Sequence, residues 1–224
     1  MIFSLEALQA RKGDSLILHY GDPSSPNFIV IDGGPDGVYA SSLRPRLAQL
    51  HRKWKNEDDD KLHLEMVMIS HIDDDHINGI LDWMMEIERD RAVSCNIATL
   101  WYNSFDAVLQ NTAQEMRSKV AALADEVAAR GERQGDSLSL LSARVIAASV
   151  GQGRELRERA DAIGINLNGG FEGLVAVPEA GKATVRRAAG LKLHVAGPNL
   201  ARLEALRKEW DEHVRKHPDP VVVA

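Results

Sequence analysis

Four side chains able to bind divalent metals fall within six residues: His71, Asp73, Asp75 and His76. Imidazole and carboxylate donors without any thiolate suit one or two divalent ions, zinc or, as carboxylates take a larger share, manganese or magnesium. Two ions ~3.5–4 Å apart clamp a scissile group and activate water against it. Asp75 is the group best placed to orient or deprotonate that water, and so carries the catalytic role. Blander roles exist for the same residue types. An Asp run ahead of a helix commonly caps it, the expected role of Asp74, and a helix N-terminus favours the charge on Asp74 and Asp75. His194 lies inside an alternating segment rather than at its end, and His213 and His217 read as helix surface, so none of the three is expected to ligate.

Such a cluster acts together only where a strand-to-helix corner fans it into one cleft. Leu62 to Ile69 predicts the strand, with Met66-Val67-Met68-Ile69 buried on both faces. Ile77, Ile80, Leu81, Met84 and Ile87 then keep helical spacing on one face. Upstream, Ile2–Leu8, Ser15–Tyr20 and Phe28–Ile31 read as strands joined by turns at Gly13-Asp14 and Asp22–Asn27, hence antiparallel hairpins. A helix is predicted over Ser41–Trp54, with Pro45 tolerated in its first turn, and a further strand over Ile97–Tyr102. From about Asp106 to Ile163 the chain turns rich in Ala, Arg, Glu and Leu. Leu109, Met116, Val120, Leu123 and Val127 recur at helical spacing there, and its arginines alternate with acids as on a solvated face. Leu191–Val195 returns to strand, and Asn199 caps a helix to about His213. Three regions result: 1–105, carrying sheet and metal motif; 106–165, a helical insertion; and 166–224, a return strand and helix.

The 224 residues are 44% hydrophobic and 27% charged, ordinary for a globular protein. Lys and Arg number 27 against 33 Asp and Glu, a net charge of −6 that excludes a globally basic nucleic-acid coat. A local groove stays open, because bound metal supplies positive charge of its own. Cys95 is the single cysteine, which excludes an internal disulfide and a thiolate zinc finger. The first ten residues lack the basic start of a signal peptide, and no run of ~18 apolar residues exists to span a bilayer. A cytoplasmic protein with no membrane partner is expected.

Ser70-His71-Ile72-Asp73-Asp74-Asp75-His76-Ile77-Asn78-Gly79-Ile80 resembles the H-x-H-x-D-H signature of the metallo-β-lactamase superfamily. Gly13-Asp14-Ser15-Leu16-Ile17 and Ile29-Val30-Ile31-Asp32-Gly33-Gly34 resemble that family's two upstream strand motifs, in the right order. The resemblance covers Met1 to Tyr102 well and Leu191 to Trp210 more loosely. It implies an α/β fold, the αββα sandwich, of which this chain would hold the N-terminal half with a helical insertion. Asp73 stands where most members carry histidine. That variant resembles the soluble hydrolase domain of ComEC-type DNA-uptake proteins, a branch associated with nuclease activity. By the resemblance, His71 and Asp73 face the first metal, and Asp75 and His76 the second.

The later ligands of the family are not found: Gly135-Asp136 sits in the helical region rather than after a strand. A C-terminal half of the same fold, on a separate or cleaved chain, is therefore expected in trans, with one sheet face bare without it. The expected function is a metal-dependent phosphodiesterase or nuclease, with nucleic acid as substrate and room for a larger assembly. A small ester, thioester or lactam hydrolase is the first rival, favoured by an apolar pocket. A non-catalytic scaffold subunit is the second, favoured by absence of metal from the assembled protein.

Overall fold

A computed structural model of the protein describes residues 1–104, 107–108, 151–206 and 208. The alternating first third forms three antiparallel strands, β1 (Ile2–Ala7), β2 (Leu16–Asp22) and β3 (Ser25–Ile31), with Phe3 opposite Tyr20 and Leu18 opposite Ile29. The β2–β3 turn is tighter than its composition suggests. Asp22 Oδ1 accepts from the Ser24 amide (2.8 Å) and hydroxyl (2.6 Å), so Pro23-Ser24 suffices and β3 begins at Ser25.

The strand expected over Leu62–Ile69 is two strands in different sheets. β4 (Leu62–Leu64) pairs in parallel with β6 (Cys95–Ile97). At Glu65 the chain steps across, its amide donating to Phe28 O at 2.9 Å. β5 (Met66–Met68) then lies parallel between β3 and β7 (Leu100–Trp101), completing a five-stranded sheet in the order β1-β2-β3-β5-β7.

Period-two alternation sorts the sheet's side chains onto two faces. Ile17, Phe28, Val30, Val67, Ile69 and Leu100 meet the helices: α1 (Arg44–Trp54), entered through a π-helical turn at Tyr39–Leu43, α2 (Asp74–Glu88), and α3, helical over 151–162. Leu47 and Leu50 of α1, Ile77, Ile80, Trp83 and Met84 of α2, and Leu156 and Ala160 of α3 close this larger core. Gly164, at φ +72°, ends α3 where the sequence places its stop.

The opposite face carries Leu18, Tyr20, Ile29, Met66 and Trp101, and it is not bare. An antiparallel hairpin of β8 (Thr184–Ala188) and β9 (Leu191–Val195) lies on it through Leu191, Leu193 and Val195, with Phe171 and Val175 beside them. The expectation of a bare sheet face is corrected accordingly: helices, sheet and a small second sheet form successive layers of a mixed α/β fold. What stays open on this face is its β1 edge, where Phe3 is 71% and Leu5 58% exposed. β8 escaped the sequence reading because Arg186-Arg187 interrupts its alternation.

Asn199 caps its helix as expected, its Oδ1 accepting from the Arg202 amide at 2.8 Å. The positions Leu109 to Val127 that define the insertion's periodicity, with His213, His217 and the Pro218–Ala224 tail, lie outside the described residues. No helix among the described residues is long and apolar enough to cross a membrane.

Candidate metal centre

Three glycines set the start of α2 directly against the ends of the sheet. A Cβ on Gly79 would stand 1.9 Å from the Gly33 carbonyl oxygen, and one on Gly33 would stand 2.4 Å from the Ile80 amide nitrogen. A Cβ on Gly13 would stand 1.8 Å from the carbonyl oxygen of Asp75. Only residues without side chains allow backbones that close. Hydrogen bonds then clip the contact, Gly33 N to His76 O at 2.8 Å and Gly79 N to Gly34 O at 2.9 Å. The three segments read separately in sequence thus meet at the first turn of α2.

The strand-to-helix corner gathers the candidate ligands there. Asp73 is the N-cap, extended at φ −78°, ψ 151°. His71 Nε2 lies 3.5 Å from Asp73 Oδ2, His76 Nε2 lies 3.8 Å from Asp75 Oδ1, and the two imidazole centroids are 3.8 Å apart. Donor atoms of His71, Asp75 and His76 all fall within 4.8 Å of one another. Asp73 faces His71 but is outside that three-residue group.

Asp32 organises the cluster from below, a role its place in the sequence motif does not reveal. It is buried and holds the left-handed backbone, φ 57°, that Asp tolerates better than most residues. Its carboxylate accepts from the Ser70 amide (2.8 Å), the Ser70 hydroxyl (2.6 Å) and His76 Nδ1 (3.0 Å). With its proton given to Asp32, the Ser70 oxygen is left to accept from His71 Nδ1 at 3.0 Å. Both rings are thereby set as Nδ1–H tautomers, leaving each Nε2 lone pair to face the carboxylates. Asp14, 3.9 Å from His76 Nδ1, forms a second acidic group with Asp32 and His76. Within that group Asp32 is already engaged by three donors and braces His76, whereas the Asp14 carboxylate is 60% exposed.

Asp74 differs from the expectation that it caps α2. It is the first helical residue, one after the cap, and its Oδ1 accepts from Gln152 Nε2 at 2.6 Å. Gln152 also donates to Asn78 Oδ1 at 2.6 Å, tying α3 to the first turn of α2. His194 is exposed on β9 and lines, together with His71, a cleft of about 570 Å³.

The donor set fits a divalent ion on its chemistry. Ligand atoms ~2.0–2.2 Å from a common ion lie no more than about 4.4 Å apart; the His71–Asp73 and His76–Asp75 pairs, at 3.5 and 3.8 Å, each meet that bound, and the donors of His71, Asp75 and His76 come within 4.8 Å of one another. Four carboxylates, those of Asp14, Asp32, Asp73 and Asp75, lie within 4 Å of one or other of the two imidazoles, an arrangement that favours a cation.

No family model and no curated protein matches the sequence. Among solved structures the chain is similar to AidC, a dizinc quorum-quenching lactonase in complex with a product, N-hexnoyl-L-homoserine. The identity is 14%, the match covers 91% of this chain and 69% of that one, and the TM-score is 0.33. A likeness of that degree decides neither fold nor function.

Proposed function

We propose that the protein is a metal-dependent hydrolase of the metallo-β-lactamase type, with its centre at the N-terminus of α2. The observation that carries this is the convergence of His71, Asp75 and His76 donor atoms within 4.8 Å, over a buried Asp32 that aims His76. When bound, a divalent ion, zinc or manganese, supplies a Lewis acid that lowers the pKa of water and polarises the bond to be cut. His71 and His76 present Nε2 toward it, and Asp73 adds a carboxylate beside His71. Asp75, one-third exposed, reaches solvent and orients the attacking water or takes its proton.

Two substrate readings belong to this site. Phosphodiester hydrolysis of nucleic acid is supported by the resemblance to the H-x-D-x-D-H branch and by Asp73, whose carboxylate suits the harder ions that accompany phosphoryl transfer. Hydrolysis of a small neutral ester or thioester is supported by the cleft beside His71, among whose described lining residues there is no Lys, Arg, Asp or Glu. Among the described residues both groups of possible donors share His76, and a further polypeptide completing a two-ion site is part of the proposal. The apolar β1 edge at Phe3 and Leu5 is what supports it.

Elemental analysis of the protein loaded with zinc or manganese tests the reading. One ion or more per chain is expected, falling by most of its content in Asp75→Ala/His76→Ala with the fold intact by circular dichroism. A folded protein that retains no metal, alone or with what co-purifies, overturns it and leaves a non-catalytic scaffold.

A further inference from the structure

The cleft beside His71 lies between the C-terminal end of the sheet and the second layer. Met68, Ile69 and Trp101 belong to the sheet side, Leu193 and Val195 to β9, and Leu203 and Leu206 to the helix that Asn199 caps. Among the described residues eighteen line it and none of these is formally charged, in a chain where charged residues make up 27%. Its polar groups are largely spoken for within the protein. Trp101 Nε1 donates to Gly169 O at 3.1 Å, and the Tyr102 hydroxyl donates to Gly153 O at 3.3 Å. The Asn103 amide is occupied on both sides by Val175, donating to its carbonyl at 2.9 Å and accepting from its amide at 2.8 Å. The Ser70 hydroxyl belongs to Asp32 and His71. What remains for a ligand is apolar wall, with the imidazoles of His71 and His194 among its lining.

At about 570 Å³ the space is of the size that small ligands occupy. Nucleic acid asks for the opposite lining: cations that track phosphates and open hydrogen-bonding groups for base edges. His71 belongs both to the metal cluster and to the cleft, so a substrate whose reacting group lies at the cluster extends its remainder along these walls.

We propose that this cleft seats an uncharged apolar arm, an acyl chain joined to a carboxylic ester or thioester carbonyl. The proposal rests on the metal-hydrolase reading and deepens it. Water adds at the carbonyl carbon and the C–O or C–S bond breaks. The alcohol or thiol leaves with a proton, and the carboxylic acid keeps the arm in the cleft. Burial of the arm gives binding that rises with chain length, up to about fourfold per methylene when fully covered. Ala196 at the exposed rim and Leu206 on the helix mark where added bulk shortens the seat.

Two measurements on the full chain separate this inference from the one beneath it. The first is calorimetric binding of N-methylbutanamide and N-methyloctanamide, neutral amides that need no turnover, to the zinc-loaded protein. The second is kcat/KM for p-nitrophenyl acetate, butyrate and octanoate, and for bis(p-nitrophenyl) phosphate. The octanamide is expected to bind at least tenfold tighter than the butanamide, and kcat/KM to rise from acetate to octanoate. Ala196→Trp, and independently Leu206→Trp, should remove that chain-length dependence while metal content and unfolding temperature hold. Chain-length-dependent binding without hydrolysis keeps the cleft and sinks the hydrolase reading. Ester hydrolysis indifferent to chain length, with no amide binding, overturns the cleft proposal and leaves the hydrolase. Displacement of bound octanamide by a dinucleotide, or turnover of the phosphate diester alone, also overturns it, in favour of nucleic acid.

Discussion

The two faces of the five-stranded sheet are built to different standards. On one, α1, α2 and α3 bury a continuous core in which Ile17, Val30, Leu43, Leu47, Val67, Ile77 and Ile80 are wholly removed from solvent. Glycines there let backbone touch backbone at the first turn of α2. On the other, a short hairpin covers the centre through partly buried side chains, leaving Phe3 and Leu5 open at the edge. The first face carries the turn on which the candidate donors His71, Asp75 and His76 converge. The second face, with its cleft, is where substrate choice can vary without disturbing the donors.

The contrast predicts unequal responses to mutation, beginning with the glycine contact. In Gly79→Ala the new methyl meets the Gly33 carbonyl, 1.9 Å away, and neither backbone can yield without moving α2. A loss of about 3 kcal/mol or more is expected, the upper end of overpacking costs, together with loss of metal binding. Urea unfolding measures it, and a near wild-type midpoint would show the interlock to be looser than it is drawn here. Asp32→Asn comes next. The shape persists, but an amide no longer accepts from all three donors, so His76 loses its anchor. Metal affinity should fall about 10–100-fold, read by chelator competition, with circular dichroism unchanged. An unaltered affinity would mean that His76 is held by its burial alone.

Leu193→Ala tests the lightly covered face. Its side chain is only partly buried, so about 1 kcal/mol is expected rather than the 2–5 typical of deep core leucines. Metal content should hold, and a cost comparable to a core leucine would erase the contrast between the faces. The smallest effect concerns Cys95 on β6, against the helical core. Burial pushes its thiol up to about 12, so the reactive thiolate is nearly absent at pH 8. Native protein should label slowly with a disulfide reagent at pH 8, speeding as pH rises toward that value, while unfolded protein labels at once. Rapid native labelling at pH 8 would place Cys95 in a more open environment.

Much of the helical face was legible because it repeats with the period of its elements. Ile77, Ile80, Leu81 and Met84 announce both a helix and the side it buries. The run Met66 to Ile69 announces a strand covered on both faces, although not that Glu65 would split it from Leu62–Leu64. A sheet change is decided by which neighbours compete for the backbone hydrogen bonds, and that is not a local property. β8 stayed hidden for a related reason: Arg186 is retained in a strand by lying over the Phe171 ring, 4.3 Å away.

The candidate ligands were legible in sequence as neighbours at a strand-to-helix corner, although the fold brings only His71, Asp75 and His76 of the four into one group. Asp32 and Gln152 were not, because they act from 44 and 74–78 residues away, through contacts that exist only once the sheet and α3 are in place. The sequence alone therefore determined which side chains of metal-binding type are neighbours in the chain. Tertiary structure decided which of their lone pairs point outward, through Asp32 and Ser70, and what lies beside them, through β9 and the helix after Asn199. The physical reason is that donor chemistry belongs to residue type, whereas tautomer and cleft lining depend on neighbours distant in the chain.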